Sequence, residues 1–182
     1  MEPICRKTPG VFVWVGWEPE GMVGDRRYVV RRETEAMESE TEAMERTAEC
    51  HCGSLRAIVA GEPESVDLCH CKACQHRTGT AFHLGATYLK DRVRLEGARN
   101  IYERDGDSGN RIRFHFCPNC GSNLYWESDR NPALCGITVG SFADPNFPLP
   151  TYSQWEESKH GWLDVAIVTE HFPQGRLPGP PP

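Results

Sequence analysis

The chain has 182 residues, of which 38% are hydrophobic, and this content suits one ordinary globular domain with looser ends. The formal net charge of −6 comes from one segment, because residues 33–49 hold seven glutamates and a single arginine. The remainder is balanced and has no concentrated basic face, which argues against binding to nucleic acid or to an anionic membrane surface. No apolar run reaches the roughly 20 residues of a transmembrane helix, so we expect no membrane segment.

The first part of the chain differs in composition from the rest. The apolar run VFVWVGW at 11–17 is short, aromatic and followed directly by EPEG, which is not typical of a signal peptide. The sequence TEAME occurs at 34–38 and again at 41–45, and its helix-forming residues are compatible with a short solvated helix. Composition favours a disordered acidic extension over residues 1–47. A translation start at one of the internal methionines is a second explanation that the sequence leaves open.

Cysteine is the most informative residue type in the composition. The chain has nine cysteines, an odd number, and no recognisable secretory leader. Both features favour a reducing, cytoplasmic location over a secreted disulfide scaffold. In such a compartment, clustered cysteines more often bind metal than form disulfides.

Between residues 48 and 172, short runs of strand-forming residues alternate with turn residues and predict an all-β domain without long helices. RIRFHF at 111–116 is the clearest strand, with three apolar side chains on one face and Arg111, Arg113 and His115 on the other. A proline-rich tail is predicted for residues 173–182. Further strands are predicted for SLRAIVA (54–60), AFHLGAT (81–87), NLYWES (123–128), ALCGITVG (133–140) and WLDVAIV (162–168).

Seven cysteines between residues 50 and 120 follow a pattern of metal-ligand spacing. Cys117-Pro-Asn-Cys120-Gly is a knuckle, in which two thiolates can bind one ion and the following glycine permits a tight turn. In the two Cys-His-Cys sequences, extended backbone places both sulfurs on one side and turns the histidine away. His51 and His70 are therefore not expected to bind metal.

Spacing alone does not decide which cysteines share an ion. A Cys-x-Cys pair needs two more donors for a closed tetrahedral site, whereas Cys-x-Cys-x-x-Cys supplies three and can leave one position open. Cys135 is a further candidate donor, but its apolar surroundings favour a buried small hydrophobe, and Cys5 has no evident partner. Ligand count thus favours a closed site of Cys50, Cys52, Cys117 and Cys120 and an open site of Cys69, Cys71 and Cys74.

Four motifs carry a family resemblance: CHCGSL, CHCKACQHRTG, FHFCPNCGSNLYW and WEESKHGW. Residues 48–172, which contain them, resemble the glutathione-dependent formaldehyde-activating enzymes and their relatives around centromere protein V. The resemblance implies a β-tent fold of antiparallel sheets that holds two zinc ions. It also implies that the four-cysteine site is structural and that the three-cysteine site is associated with glutathione.

The activity implied by the resemblance is that of a carbon–sulfur lyase in aldehyde detoxification, which adds the thiol of glutathione to formaldehyde or a related small aldehyde. Zinc with an open position suits this chemistry, because it can lower the pKa of a thiol or polarise an aldehyde oxygen. The partners would be glutathione as cosubstrate and a small aldehyde. The sequence gives no indication of the oligomeric state. A non-catalytic, zinc-stabilised binding module of the same fold is the alternative.

The residues that follow the open site are candidates for contacts with glutathione. Arg77 is a candidate for binding a carboxylate, and Gly79 would allow close approach of the backbone. A solvated surface charge is an equally acceptable role for Arg77. The complete candidate set for glutathione is Gln75, Arg77, Thr78 and Gly79.

Overall fold

The computed structural model describes residues 44–106 and 109–176, which form two β-sheets. The smaller sheet is antiparallel, with the order β1-β2-β5, and contains β1 (Glu45–Glu49), β2 (Arg56–Ala60) and β5 (Val93–Glu96). The larger sheet, of order β11-β10-β3-β4-β9-β8-β7-β6, contains β3 (Ser65–Cys69), β4 (His83–Leu89), β6 (Asn100–Asp105), β7 (Arg111–Phe116), β8 (Asn123–Ser128), β9 (Leu134–Thr138), β10 (Tyr152–Gln154) and β11 (Glu170–Phe172).

Helices are few and short in the described part of the chain. One α-helix, α1 (Lys72–Thr78), follows β3, and 3-10 turns occupy Lys90–Arg92, Val139–Phe142 and Glu156–Ser158. None of the helices seen in these residues has the length and apolar character needed to cross a membrane.

The predicted all-β class is confirmed, and two predicted strands, 111–116 and 123–128, match the observed bounds of β7 and β8. The larger sheet is mixed rather than purely antiparallel, because β10 runs parallel to both β3 and β11. His115 of RIRFHF lies on the face that alternation predicts, where it is buried beside its ladder partner Tyr125. Alternation predicts only the face of this side chain, and the cross-strand aromatic contact explains its burial.

The strand predicted at 162–168 is not formed. This segment consists of turns and irregular backbone. Val165 and Val168 are buried and pack against Leu68 of β3, which explains the apolar alternation of WLDVAIV. The apolar side chains therefore anchor a loop to the larger sheet.

The ends of the domain differ slightly from the predicted bounds. β1 begins at Glu45, three residues before the predicted start at residue 48. At the other end, residues 173–176 contact the domain, since Trp155 N–H donates to the carbonyl of Gln174 and the Arg176 guanidinium stacks over Tyr152. The remaining parts of the predicted extension and tail, residues 1–43 and 177–182, lie outside the described residues, as does Cys5.

The two faces of the larger sheet have different surroundings. Side chains alternate between the two faces along each strand. The apolar side chains of one face pack against the smaller sheet and form the main core with it. Ala86, Tyr125 and Ile137 lie on this face, opposite Ala57 and Val59 of β2 in the same buried cluster. The other face is thus left free to line a cleft.

Two glycines make room for an indole ring on the cleft face. A Cβ atom on Gly136 would lie 1.9 Å from Cζ2 of Trp126, and one on Gly85 would lie 2.6 Å from Cη2 of the same ring. Such distances are far below van der Waals contact, so Trp126 packs directly on the backbone of β4 and β9. The indole forms part of the cleft floor.

We expect Gly136→Ala to lower the free energy of unfolding by about 1–3 kcal/mol, because the added methyl group displaces Trp126. Urea unfolding, followed by tryptophan fluorescence, measures this loss. Gly140→Ala is the matched control, since a Cβ there meets no atom of the described segments within 4 Å. Equal stability of the two variants would contradict the packing of Trp126 on β9.

Candidate metal centres and the adjoining cleft

Four cysteines from two distant turns meet in one cluster. Cys50 and Cys52 lie between β1 and β2, and Cys117 and Cys120 lie between β7 and β8. All four Sγ atoms lie within 4.8 Å of one another, with 3.6 Å from Cys52 to Cys50 and 3.7 Å from Cys52 to Cys117. A tetrahedral zinc ion with Zn–S bonds of about 2.3 Å separates its sulfurs by about 3.8 Å. The cluster therefore fits such an ion.

Neighbouring polar groups lie within hydrogen-bond distance of the sulfurs in this cluster. Leu55 N–H donates to Cys50 Sγ at 3.2 Å, and Ser54 Oγ lies 3.0 Å from Cys52 Sγ. Hydrogen bonding from Ser54 lowers the pKa of Cys52 to about 5. Gly121 follows the knuckle with a φ of 74°, a conformation that side chains rarely adopt. Ser54 thus favours the charged form of Cys52, the form in which cysteine binds metal.

Three further cysteines meet where β3 passes into α1. Cys69 is the last residue of β3, Cys71 is the N-cap of α1, and Cys74 lies in the first helical turn. Their Sγ atoms lie within 4.8 Å of one another, and Cys74 N–H donates to Cys71 Sγ at 3.3 Å. Within the described ranges this cluster offers three sulfur donors, one fewer than tetrahedral zinc takes.

The protons of this second cluster are shared unequally. Hydrogen bonds with Cys69 and then with Cys74 lower the pKa of Cys71 to about 2, and the charge of Arg104 acts in the same direction. Hydrogen bonding with Cys71 in turn raises the pKa of Cys69. Cys71 is therefore the preferred thiolate of the three. Sets of cysteine sulfurs favour zinc over hard cations such as magnesium and calcium.

The structure brings together the same two sets of cysteines that ligand counting separated. His51 is exposed and belongs to neither cluster, and His70 is buried with its Nε2 atom 3.1 Å from Ser153 Oγ. Cys135 is also buried and lies in the main core, 3.7 Å from the carbonyl of Tyr88, outside both clusters.

The three-cysteine cluster borders a cleft of about 1030 Å³, whereas none of the four cysteines of the other cluster lines it. Its floor is the free face of the larger sheet, including Trp126 and Phe114. Its charged side chains are mostly basic, with Asp67 as the carboxylate among the described lining residues. The basic residues are Lys72, Arg77, Arg104, Arg130 and Arg176.

Arg77 is the one member of the predicted glutathione set that lines the cleft among the described residues. Its guanidinium lies 4.6 Å from the centre of the Phe114 ring and donates a hydrogen bond to Asn123 Oδ1. Aromatic and amide contacts therefore hold the side chain in place, so it is not a solvated surface charge.

The other three residues predicted to contact glutathione have local structural roles within the protein. The Gln75 amide donates to the carbonyls of His70 and Ser158, and Thr78 Oγ1 donates to the carbonyl of Cys74. Gly79 adopts a φ of 67° and ends α1. We therefore retain only Arg77 as a candidate for ligand contact, because the polar groups of the other side chains are used in local structure.

His83 was not identified from the sequence as a site residue. It lies in β4 as the ladder partner of Cys69, lines the cleft, and is 4% exposed. Its ring packs edge-on against Trp126 with centroids 4.7 Å apart. Burial, with a smaller contribution from the charge of Arg77, lowers the pKa of His83 to about 3, so the ring is neutral near pH 7. Only strand pairing, which the sequence does not reveal, places it beside the cluster.

Comparison with known proteins gives one family match. The family model described as glutathione-dependent formaldehyde-activating enzyme matches residues 45–158, a range that includes both clusters. The chain is also similar to a crystal structure of a Rhodobacter sphaeroides protein, with 25% sequence identity, coverage of 55% of this chain and 90% of that chain, and a TM-score of 0.43. A search of curated proteins gives no match.

We expect Cys117→Ser to unfold the domain or to lower its melting temperature by at least about 10 °C, because a closed zinc site can supply on the order of 10 kcal/mol to folding. The measurements are a thermal melt and the zinc content of the purified protein. A natively folded variant that still carries two equivalents of zinc would contradict a structural role for this cluster.

Proposed function

The chain belongs to the family of glutathione-dependent formaldehyde-activating enzymes, and we propose that it catalyses the addition of the glutathione thiol to formaldehyde or a related small aldehyde. The observation that carries this proposal is the asymmetry of the two cysteine clusters. The cluster of Cys69, Cys71 and Cys74 borders the cleft and has one donor fewer than a closed zinc site. The same asymmetry supports a catalytic role for one ion and a structural role for the other.

The charges of the cleft complement those of glutathione. Near pH 7 this tripeptide has two carboxylates and one ammonium group, and the cleft offers several cationic side chains and the carboxylate Asp67. Arg77 and Arg104 line the cleft together with Cys71, where they can attract a carboxylate. The cleft volume of about 1030 Å³ is ample for a tripeptide and a one-carbon aldehyde.

The reaction forms one carbon–sulfur bond and opens one carbonyl π bond. The thiol loses its proton, its sulfur attacks the carbonyl carbon, and the oxygen gains a proton to become the hydroxyl of S-hydroxymethylglutathione. Zinc, when bound by Cys69, Cys71 and Cys74, would supply a Lewis acid that lowers the pKa of a thiol or polarises an aldehyde oxygen. Reversal of the same step is a carbon–sulfur lyase reaction.

The chain's own residues orient and shield the reactants. Trp126 and Phe114 provide an apolar floor that excludes water from one side of the cleft. Arg77, held between Phe114 and Asn123, presents a fixed positive charge, so little side-chain freedom is lost when an anion binds. The cytoplasmic location predicted from cysteine usage belongs to the same proposal, since glutathione is abundant there.

We expect Cys71→Ser to abolish glutathione binding and hydroxymethyl transfer while changing the melting temperature by only a few degrees. Three ligands from a six-residue span constrain less of the chain than four ligands from distant turns, so folding and function should separate. Isothermal titration with glutathione, zinc analysis and NMR detection of S-hydroxymethylglutathione on one sample test this expectation.

Cys135→Ala is the matched control, because it removes a thiol that lies outside both clusters. It should retain glutathione affinity and two zinc ions. If the wild-type protein has no affinity for glutathione and does not accelerate adduct formation, the chain is a non-catalytic binding module of the same fold. If Cys71→Ser unfolds as completely as Cys117→Ser, both ions are structural.

A further inference from the structure

The imidazole of His83 has an unusual combination of burial and missing partners. It is 4% exposed, yet neither Nδ1 nor Nε2 has a hydrogen-bond partner among the described residues. Buried polar groups in folded proteins are nearly always paired, because an unpaired one has lost its hydration without compensation. Where such a group borders a cleft, the missing partner is expected to be a bound molecule.

The position of His83 in the sheet places it at the end of the cleft that the three-cysteine cluster borders. It is opposite Cys69 in the β3–β4 ladder, and side chains of directly paired residues lie on the same face of a sheet. Nε2 lies 3.0 Å from the point that a Cβ on Gly85 would occupy, so a side chain at that position would crowd the ring nitrogen. The ring itself is fixed by its edge-on packing against Trp126.

A role for His83 as the fourth zinc ligand fits the structure less well. Nitrogen and sulfur donors on one tetrahedral zinc ion are about 3.6 Å apart. The cysteine sulfurs form a group within 4.8 Å of one another, and neither ring nitrogen of His83 belongs to that group. The imidazole therefore lies beside the cluster, where it can reach a molecule bound there.

We propose that His83 donates a hydrogen bond to the oxygen of the bound substrate, which is the aldehyde carbonyl oxygen before addition and the hydroxyl of the adduct after it. This inference rests on the proposed function. As the carbon–sulfur bond forms, the carbonyl π electrons move to the oxygen, and an N–H placed in advance stabilises the charge that develops there. The thiol proton leaves to solvent and the oxygen takes a proton from solvent, so His83 itself gains and loses none.

The test compares two stable thioethers that differ in one group, S-(2-hydroxyethyl)glutathione and S-propylglutathione. They have the same number of non-hydrogen atoms, but only the first has a hydroxyl near the position of the substrate oxygen. Titration of the zinc-loaded, full-length protein should show about two- to tenfold tighter binding of the hydroxyethyl compound, the usual net contribution of one hydrogen bond. In His83→Phe this preference should disappear, while affinity for the propyl compound stays unchanged.

Two variants separate a ligand contact from a structural role. His83→Gln keeps an N–H at similar reach and should restore the preference for the hydroxyl, and it serves as the test if His83→Phe does not fold. His115→Phe is the matched control, because His115 is also 4% exposed but lies on the core face beside its ladder partner Tyr125, where Nδ1 accepts a hydrogen bond from Arg99. We expect His115→Phe to lower the melting temperature and to leave the preference for the hydroxyl intact. His83→Phe should not lower the melting temperature.

The outcomes distinguish this inference from the function on which it rests. Equal affinity of the wild-type protein for both thioethers, or an unchanged preference in His83→Phe, would refute the hydrogen bond while leaving glutathione binding in place. If His83→Gln fails to restore the preference for the hydroxyl, that preference depends on the shape of the imidazole ring. This outcome would also refute the inference. Absence of binding to either thioether, together with no acceleration of adduct formation, would reject both the proposed function and the role of His83.

Discussion

The four-cysteine cluster is the constraint on which the arrangement of the two sheets depends. Its sulfurs come from the turn between β1 and β2 in the smaller sheet and from the turn between β7 and β8 in the larger one. Sulfurs 3.6–3.7 Å apart are too distant for disulfides and too close for uncompensated thiolates. A shared cation would resolve this repulsion and would at the same time join strands that are far apart in sequence.

With the smaller sheet held against one face of the larger sheet, the opposite face is available for function. Period-two alternation then determines what lines the cleft: His83 and Thr87 on β4 face it, while Ala86 and Tyr88 enter the core. Glycines within a strand ordinarily weaken it. Here Gly85 and Gly136 leave room for the indole of Trp126. The strands are less stable for these glycines, but the indole can pack on the sheet and form an apolar floor.

Sequence reasoning succeeded where the signal was local. Ligand count separated the two clusters, because a segment that supplies three donors within six residues leaves the two cysteine pairs to complete one four-donor site. Strong alternation located β7 and β8, but the apolar residues of 162–168 proved to anchor a loop, since burial rather than strand formation sets their spacing. Short strands such as β10 are formed by pairing with neighbours, and a local pattern does not report that pairing.

His83 shows the same limit at the level of the site. In the sequence it is one histidine in an apolar run, where a core role is the ordinary interpretation, and His115 fits that interpretation. The two side chains are equally buried, but His115 has a protein donor at Nδ1, whereas the described part of the chain offers His83 a partner at neither nitrogen. A core histidine and a candidate site residue therefore differ in their hydrogen-bond partners and in the face of the sheet on which they lie. Both depend on strand register, which tertiary structure alone supplies.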